Sequence, residues 1–130
     1  MPTFHIPEDF YYTKDHEWAQ VDENIVTVGV TEFAQDQLGE IVYVDLPEEG
    51  QKVTQNQAFG VVESVKAVSD LFAPVSGTVI EVNSALLDDP ASLNDDPNNL
   101  GWLVRIEMDS EKELAALMRA PDYKKLISEK

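Results

Sequence analysis

Branched and aromatic side chains cluster in short runs along this chain, and within several runs they alternate with polar positions. Ile25–Val30, Ile41–Leu46, Ala58–Val62, Thr78–Val82 and Trp102–Met108 have this character, each bounded by Gly, Pro, Asn or Asp. Such runs predict strands, and the period of two predicts that each strand buries one face. One segment breaks the pattern. Thr31–Gly39 has an N-capping threonine, an acid in its first turn and a glycine where a left-handed C-cap sits, which predicts one short helix. Ser84–Gly101, with Pro90 and Pro97, predicts an acidic loop holding at most a turn of helix. Near the C-terminus, Ser110 and Glu113 have capping-box spacing before Leu114, Leu117 and Met118, which share a helical face. Pro121 interrupts, and Tyr123, Leu126 and Ile127 resume the stripe, which is expected to dock on the sheet.

The 130 residues, 43% of them hydrophobic, suffice for a single core, so one domain over 1–130 is expected, with a β body over about 10–108 and a helical segment over about 109–128. Charge narrows the function classes. The chain carries a formal net charge of −16, all of it on residues 1–108, while 109–130 hold five acids and five bases. A nucleic-acid or anionic-membrane binder needs a basic face, and this charge balance argues against both classes. With no cysteine there is no disulfide framework, thiolate nucleophile or Cys-based zinc site. The acid-rich N-terminus resembles neither a signal nor a transit peptide, and no apolar run is long enough to cross a membrane. A soluble protein of the bacterial cytoplasm is expected, or of the mitochondrial matrix if this is a mature eukaryotic chain.

Metal and enzyme readings are weak. His5 and His16 are eleven residues apart, with no thiolate to join them. The acidic loop 88–97 lacks the central glycine and final glutamate of an EF-hand. No phosphate loop or nucleophile-base motif occurs, so catalysis by this chain alone is not expected.

Lys66 is the only cation between Val53 and Val104. Small or branched neutral residues flank it, Glu63 lies three positions before and Asp70 four after. Gly50, sixteen residues upstream, and Gly77, eleven downstream, bracket it as turn glycines. The simplest picture is a hairpin with lysine at its tip. The amine would stand clear of the body on a flexible stem, either as an ordinary solvated lysine or as the attachment point of a prosthetic arm.

The segment Glu63–Asp70 resembles the lipoyl-lysine hairpin of the glycine cleavage system H-protein family, and the resemblance extends over roughly residues 10–128. Asp15–Trp18, Gly29–Thr31, Ala34–Gln35, Gln37–Pro47, Ala73–Gly77, Glu81–Asn83 and Gly101–Trp102 all fit the family pattern. The resemblance implies a mainly β fold, a flattened barrel-sandwich hybrid of two antiparallel sheets of the lipoyl/biotinyl type, with a short internal helix and a C-terminal helix. It implies lipoate in amide linkage on Lys66, and a monomeric carrier that is not itself an enzyme. The implied partners are glycine decarboxylase (the P-protein), the tetrahydrofolate-dependent aminomethyltransferase (the T-protein), dihydrolipoyl dehydrogenase (the L-protein), and a lipoate ligase or lipoyl transferase.

The resemblance further implies that Asp15, Glu17 and Asp70 hold the amine of the aminomethyl-loaded arm, and that Glu63 helps the lipoylating enzyme choose its target. Asp15 departs from the serine of some members, and Pro97–Leu100 departs from the family's usual run before Gly-Trp. A biotin carrier would flank its lysine with methionines, and a 2-oxo acid dehydrogenase lipoyl domain usually has aspartate before it, whereas Val65 and Ala67 stand here. The alternatives are an H-like protein that relays lipoate to other enzymes, or a lipoyl domain serving 2-oxo acid dehydrogenases.

Overall fold

The computed structural model describes residues 6–90, 93 and 101–128. Their strands are β1 (Tyr11–Tyr12), β2 (Glu17–Asp22), β3 (Ile25–Val30), β4 (Ile41–Asp45), β5 (Lys52–Val53), β6 (Ala58–Ser64), β7 (Val68–Phe72), β8 (Gly77–Val82) and β9 (Val104–Met108). They form two antiparallel sheets, one in the order β1-β2-β3-β9-β8-β5 and one in the order β4-β6-β7. The alternation read from the sequence is the packing: Val26, Val28, Val79, Val104 and Ile106 of the first sheet face Val44, Val62 and Leu71 of the second in one buried cluster. This is the two-sheet, mainly β architecture expected above.

Helix α1 (Glu32–Leu38) links β3 to β4. The N-terminus is as the sequence implies, with Thr31 accepting a hydrogen bond from the Ala34 N–H. Gly39 ends the helix with φ +79° and ψ −149°, a conformation glycine adopts readily but not the left-handed helical one expected. Helix α2 (Ser84–Asp88) is the single turn or so expected after β8. The departure at Pro97–Leu100 lies outside the described residues.

Trp18 is buried opposite Gly29 in the β2-β3 register. A Cβ on Gly29 would collide with the indole, so the glycine provides the space that the ring fills. Phe10 stacks on the same indole at 4.8 Å, and Tyr12 stacks on Tyr123 at 4.7 Å. These rings, with Ile6 and Ala120, make a second cluster that secures helix α3 (Ala120–Ser128) to the body.

The C-terminal segment differs from expectation before α3. Residues Glu111–Ala116 form a 3-10 helix, and Ser110 accepts from the Lys112 N–H. The capping box does not form because Glu113 is engaged elsewhere: its carboxylate accepts from the Ser76 N–H at 2.7 Å and the Ser76 hydroxyl at 2.8 Å. Leu117 is extended, Met118 bridges to Tyr12, and Pro121 lies in the first turn of α3, where its missing N–H costs nothing.

Candidate functional site

Lys66 stands at the tip of the β6-β7 hairpin, between Glu63 and Val68, which pair across the two strands. Ser64 shapes the tip. Its N–H donates to the Ala67 carbonyl at 2.8 Å, and its hydroxyl oxygen accepts from the N–H groups of Ala67 and Lys66 at 3.0 and 3.3 Å. The Val65 N–H donates to the Glu40 carbonyl, which ties the turn to the start of β4. The lysine stem leans over the end of α1, with Cε 3.6 Å from where a Cβ on Gly39 would be. Its side chain is exposed, and among the described residues no carboxylate lies within ion-pair range of its amine. Val65 and Val68 on either side are 69% and 66% exposed.

The other predicted residues are placed very differently. Glu17 is 1% exposed. Its Oε1 accepts from the Thr13 hydroxyl at 2.5 Å, and its Oε2 accepts from the Phe72 N–H at 3.3 Å. The second bond sets the carboxylate against β7, two residues from Asp70. Burial pushes the Glu17 carboxyl up to about 8, and the Thr13 and Phe72 hydrogen bonds only partly oppose this. The negative charge of Asp15 adds a smaller push in the same direction. Asp15 itself is exposed, and its N–H shares the Thr13 hydroxyl oxygen with the N–H of Glu17. Asp70 is exposed and pairs with Val61, and Glu63 is half-buried between Tyr43 and Val68.

The two bracketing glycines do different jobs. Gly50 is a turn glycine, with φ +91° and open space around it. Gly77 is not in a turn: it opens β8 between Val53 and Met108, and a Cβ there would strike the Glu107 carbonyl. Close backbone approach, rather than a left-handed conformation, requires glycine there.

Sequence reasoning missed Thr13 and Tyr123. The Tyr123 hydroxyl bridges His16 Nδ1 at 2.8 Å and Thr31 Oγ1 at 2.7 Å, and His16 has φ 72°. Helix α3 thereby fixes the backbone between Asp15 and Glu17. Only the apolar stripe containing Tyr123 was visible beforehand, and it reported packing alone. No cluster suited to a metal ion occurs among the described residues, and no helix there is long and apolar enough to cross a membrane.

A two-sheet β body that presents one accessible lysine on a hairpin tip defines a carrier of the lipoyl type. A family model described as "Glycine cleavage H-protein" matches residues 10–130. A glycine cleavage system H protein of Anaeromyxobacter sp. (strain K) is 53% identical over 124 residues, covering 95% of this chain and 97% of the relative. One of Carboxydothermus hydrogenoformans is 48% identical, covering 95% of each. The crystal structure of a glycine cleavage system H protein from Mycobacterium marinum superposes with a TM-score of 0.87 at 40% identity, covering 95% of this chain and 99% of that one. The chain belongs to the glycine cleavage H-protein family. It is a carrier component of the glycine cleavage system, and its family is lipoate-bearing.

Proposed function

We propose that Lys66 is the lipoyl attachment site and that Asp70 on β7, Asp15 before β2 and Glu17 at the start of β2 hold the transferred group. The observation that carries this reading is the lysine itself, exposed, without a carboxylate partner among the described residues, on a turn held by Ser64 and Glu40. Lipoate bound there would supply a disulfide able to carry an aminomethyl group between glycine decarboxylase and the aminomethyltransferase and to be restored by dihydrolipoyl dehydrogenase. The chain's own residues bind and shield. Asp70 on β7 and Glu17 beside the Phe72 end of that strand would hold the loaded arm if it folded back over β7. At neutral pH the buried Glu17 carboxyl holds a proton, and an approaching ammonium group favours its ionised form, so that the cation meets a carboxylate away from water. Asp15 and Asp70 add negative charge at the more exposed side of the same path.

Glu63 is proposed as a residue read by the lipoylating enzyme, since it flanks the tip and is exposed enough to be touched. The relatives are bacterial, and we place this carrier in the cytoplasm as a monomer that meets its larger enzymes in transient encounters.

Incubation with lipoate, ATP and a lipoate ligase should add one lipoyl mass increment, mapped to the peptide containing Lys66. Lys66→Arg should fold and stay unmodified, and Glu63→Gln should be modified more slowly. An increment on another lysine, or glycine-dependent carboxylation exchange that persists with Lys66→Arg, would overturn the assignment.

A further inference from the structure

The outer face of the three-stranded sheet has an ordered surface beside the lysine. Tyr43 on β4, Glu63 on β6 and Val68 on β7 are cross-strand partners in one row, and Asp45, Val61 and Asp70 form the next. Cross-strand partners share a face, and residues two apart on one strand do so too. The six side chains therefore alternate apolar and acidic along both directions, a checkerboard of Tyr, Glu, Val over Asp, Val, Asp. Tyr43 is 51% exposed and Val68 66%. Val42 beside Tyr43 and Val65 on the turn are also exposed, so four of the six large exposed hydrophobic residues among those described gather at this sheet and its tip. None of the three acids has an ion-pair partner among the described residues.

We propose that this checkerboard is the surface by which the enzyme that acylates Lys66 docks, and that Tyr43 and Val68 are specificity-determining residues of that encounter. The inference rests on the assignment of Lys66 as the lipoyl site. The geometry selects this partner over the enzymes that use the finished arm. An enzyme acting on the distal end of a long arm works far from the base of the lysine, whereas one that joins the Lys66 amine to an activated lipoyl carboxyl must cover the turn. In that step the amide bond forms at Nζ, AMP leaves from lipoyl adenylate, and the amine's protons pass to solvent. The charge pattern selects the partner's chemistry: three acids interleaved with apolar side chains fit a face that has cationic side chains set between apolar ones. A minority of residues dominates such an interface, tyrosine is enriched among them, and truncating one that is central costs about tenfold in affinity or more.

The test is the initial rate of lipoylation by a bacterial lipoate ligase against carrier concentration, read by intact mass. Tyr43→Ser and Val68→Ser should each lower kcat/KM about tenfold, mainly through KM, while Tyr43→Phe keeps the wild-type value. Ile80→Ser, a substitution at an exposed residue of the other sheet, should leave the rate unchanged. Acylation of Lys66 by a small N-hydroxysuccinimide ester should be equal in all variants, which separates lost recognition from lost access. Wild-type modification with an equal rate for Tyr43→Ser and Val68→Ser would overturn the docking surface and leave Lys66 as the site. No modification of the wild type at Lys66 would overturn the assignment on which it rests.

Discussion

Replacing Glu17 with glutamine should change how the protein's stability depends on pH more than it changes stability at any single pH. The carboxyl is 1% exposed, and its proton affinity rises from the ordinary value of 4.5 to about 8. Between those values the unfolded chain has lost this proton while the folded chain keeps it. The unfolded state therefore binds fewer protons, and stability falls as pH rises. One proton corresponds to about 1.4 kcal/mol per pH unit, so this group alone removes roughly 3 kcal/mol between pH 5 and pH 7. The contribution is fully present below the unfolded value and is gone above about pH 8. Glu17→Gln abolishes the titration but keeps the shape. The new amide offers one acceptor where the carboxyl took bonds from Thr13 and Phe72, an offset that does not vary with pH. Self-repulsion at a net charge of −16 also grows with pH, but equally in both proteins, so the difference between them isolates Glu17. Urea unfolding followed by the fluorescence of buried Trp18, at half-unit steps from pH 5 to pH 8, reads the difference directly. The variant should gain on the wild type steadily across this range. Parallel curves would show that Glu17 is ionised in the folded state throughout, and would refute the proton-holding role given to it.

Other substitutions probe separate contacts. Gly29→Ala pushes a Cβ into the Trp18 indole and should cost about 1–3 kcal/mol through overpacking, with a lowered Tm and an altered near-ultraviolet signal from the displaced ring. Tyr123→Phe keeps the stack on Tyr12 but leaves His16 and Thr31 without their shared hydroxyl; a loss of about 1–3 kcal/mol in chemical denaturation is expected, with lipoylation of Lys66 unchanged. Ser64→Ala removes the acceptor for two N–H groups of the turn and should cost about 1 kcal/mol and slow lipoylation; an unchanged rate would mean that the backbone alone holds the tip.

What the sequence disclosed depended on the range of the interaction. Short-range signals were accurate: Thr31 and Gly39 cap α1 because capping is decided within a few residues, and the alternation in β3 and β9 matches their buried faces. The hairpin around Lys66 was legible for the same reason. Glu113 was misread because its competing partner, Ser76, lies 37 positions away and spacing cannot reveal it. Gly77 was assigned to a turn because a glycine required by a neighbouring carbonyl looks, in sequence, like one required by a positive φ. The very short β1 and β5, of two residues each, are below what a period of two can register. Among the acids, composition could not distinguish exposed Asp15 and Asp70 from buried Glu17, since that depends on Thr13 and Phe72 closing over one carboxylate.

The bond between Glu17 and Phe72 also bears on behaviour at high concentration. Strand β7 ends its sheet, and such a border offers unpaired amides to any extended segment that drifts past, including the same strand of a neighbouring molecule. The Phe72 amide is already taken by an internal carboxylate, and the exposed charge of Asp70 sits two residues away. The chain is thereby guarded against lateral polymerisation by the buried acid that takes up an amide of this border strand.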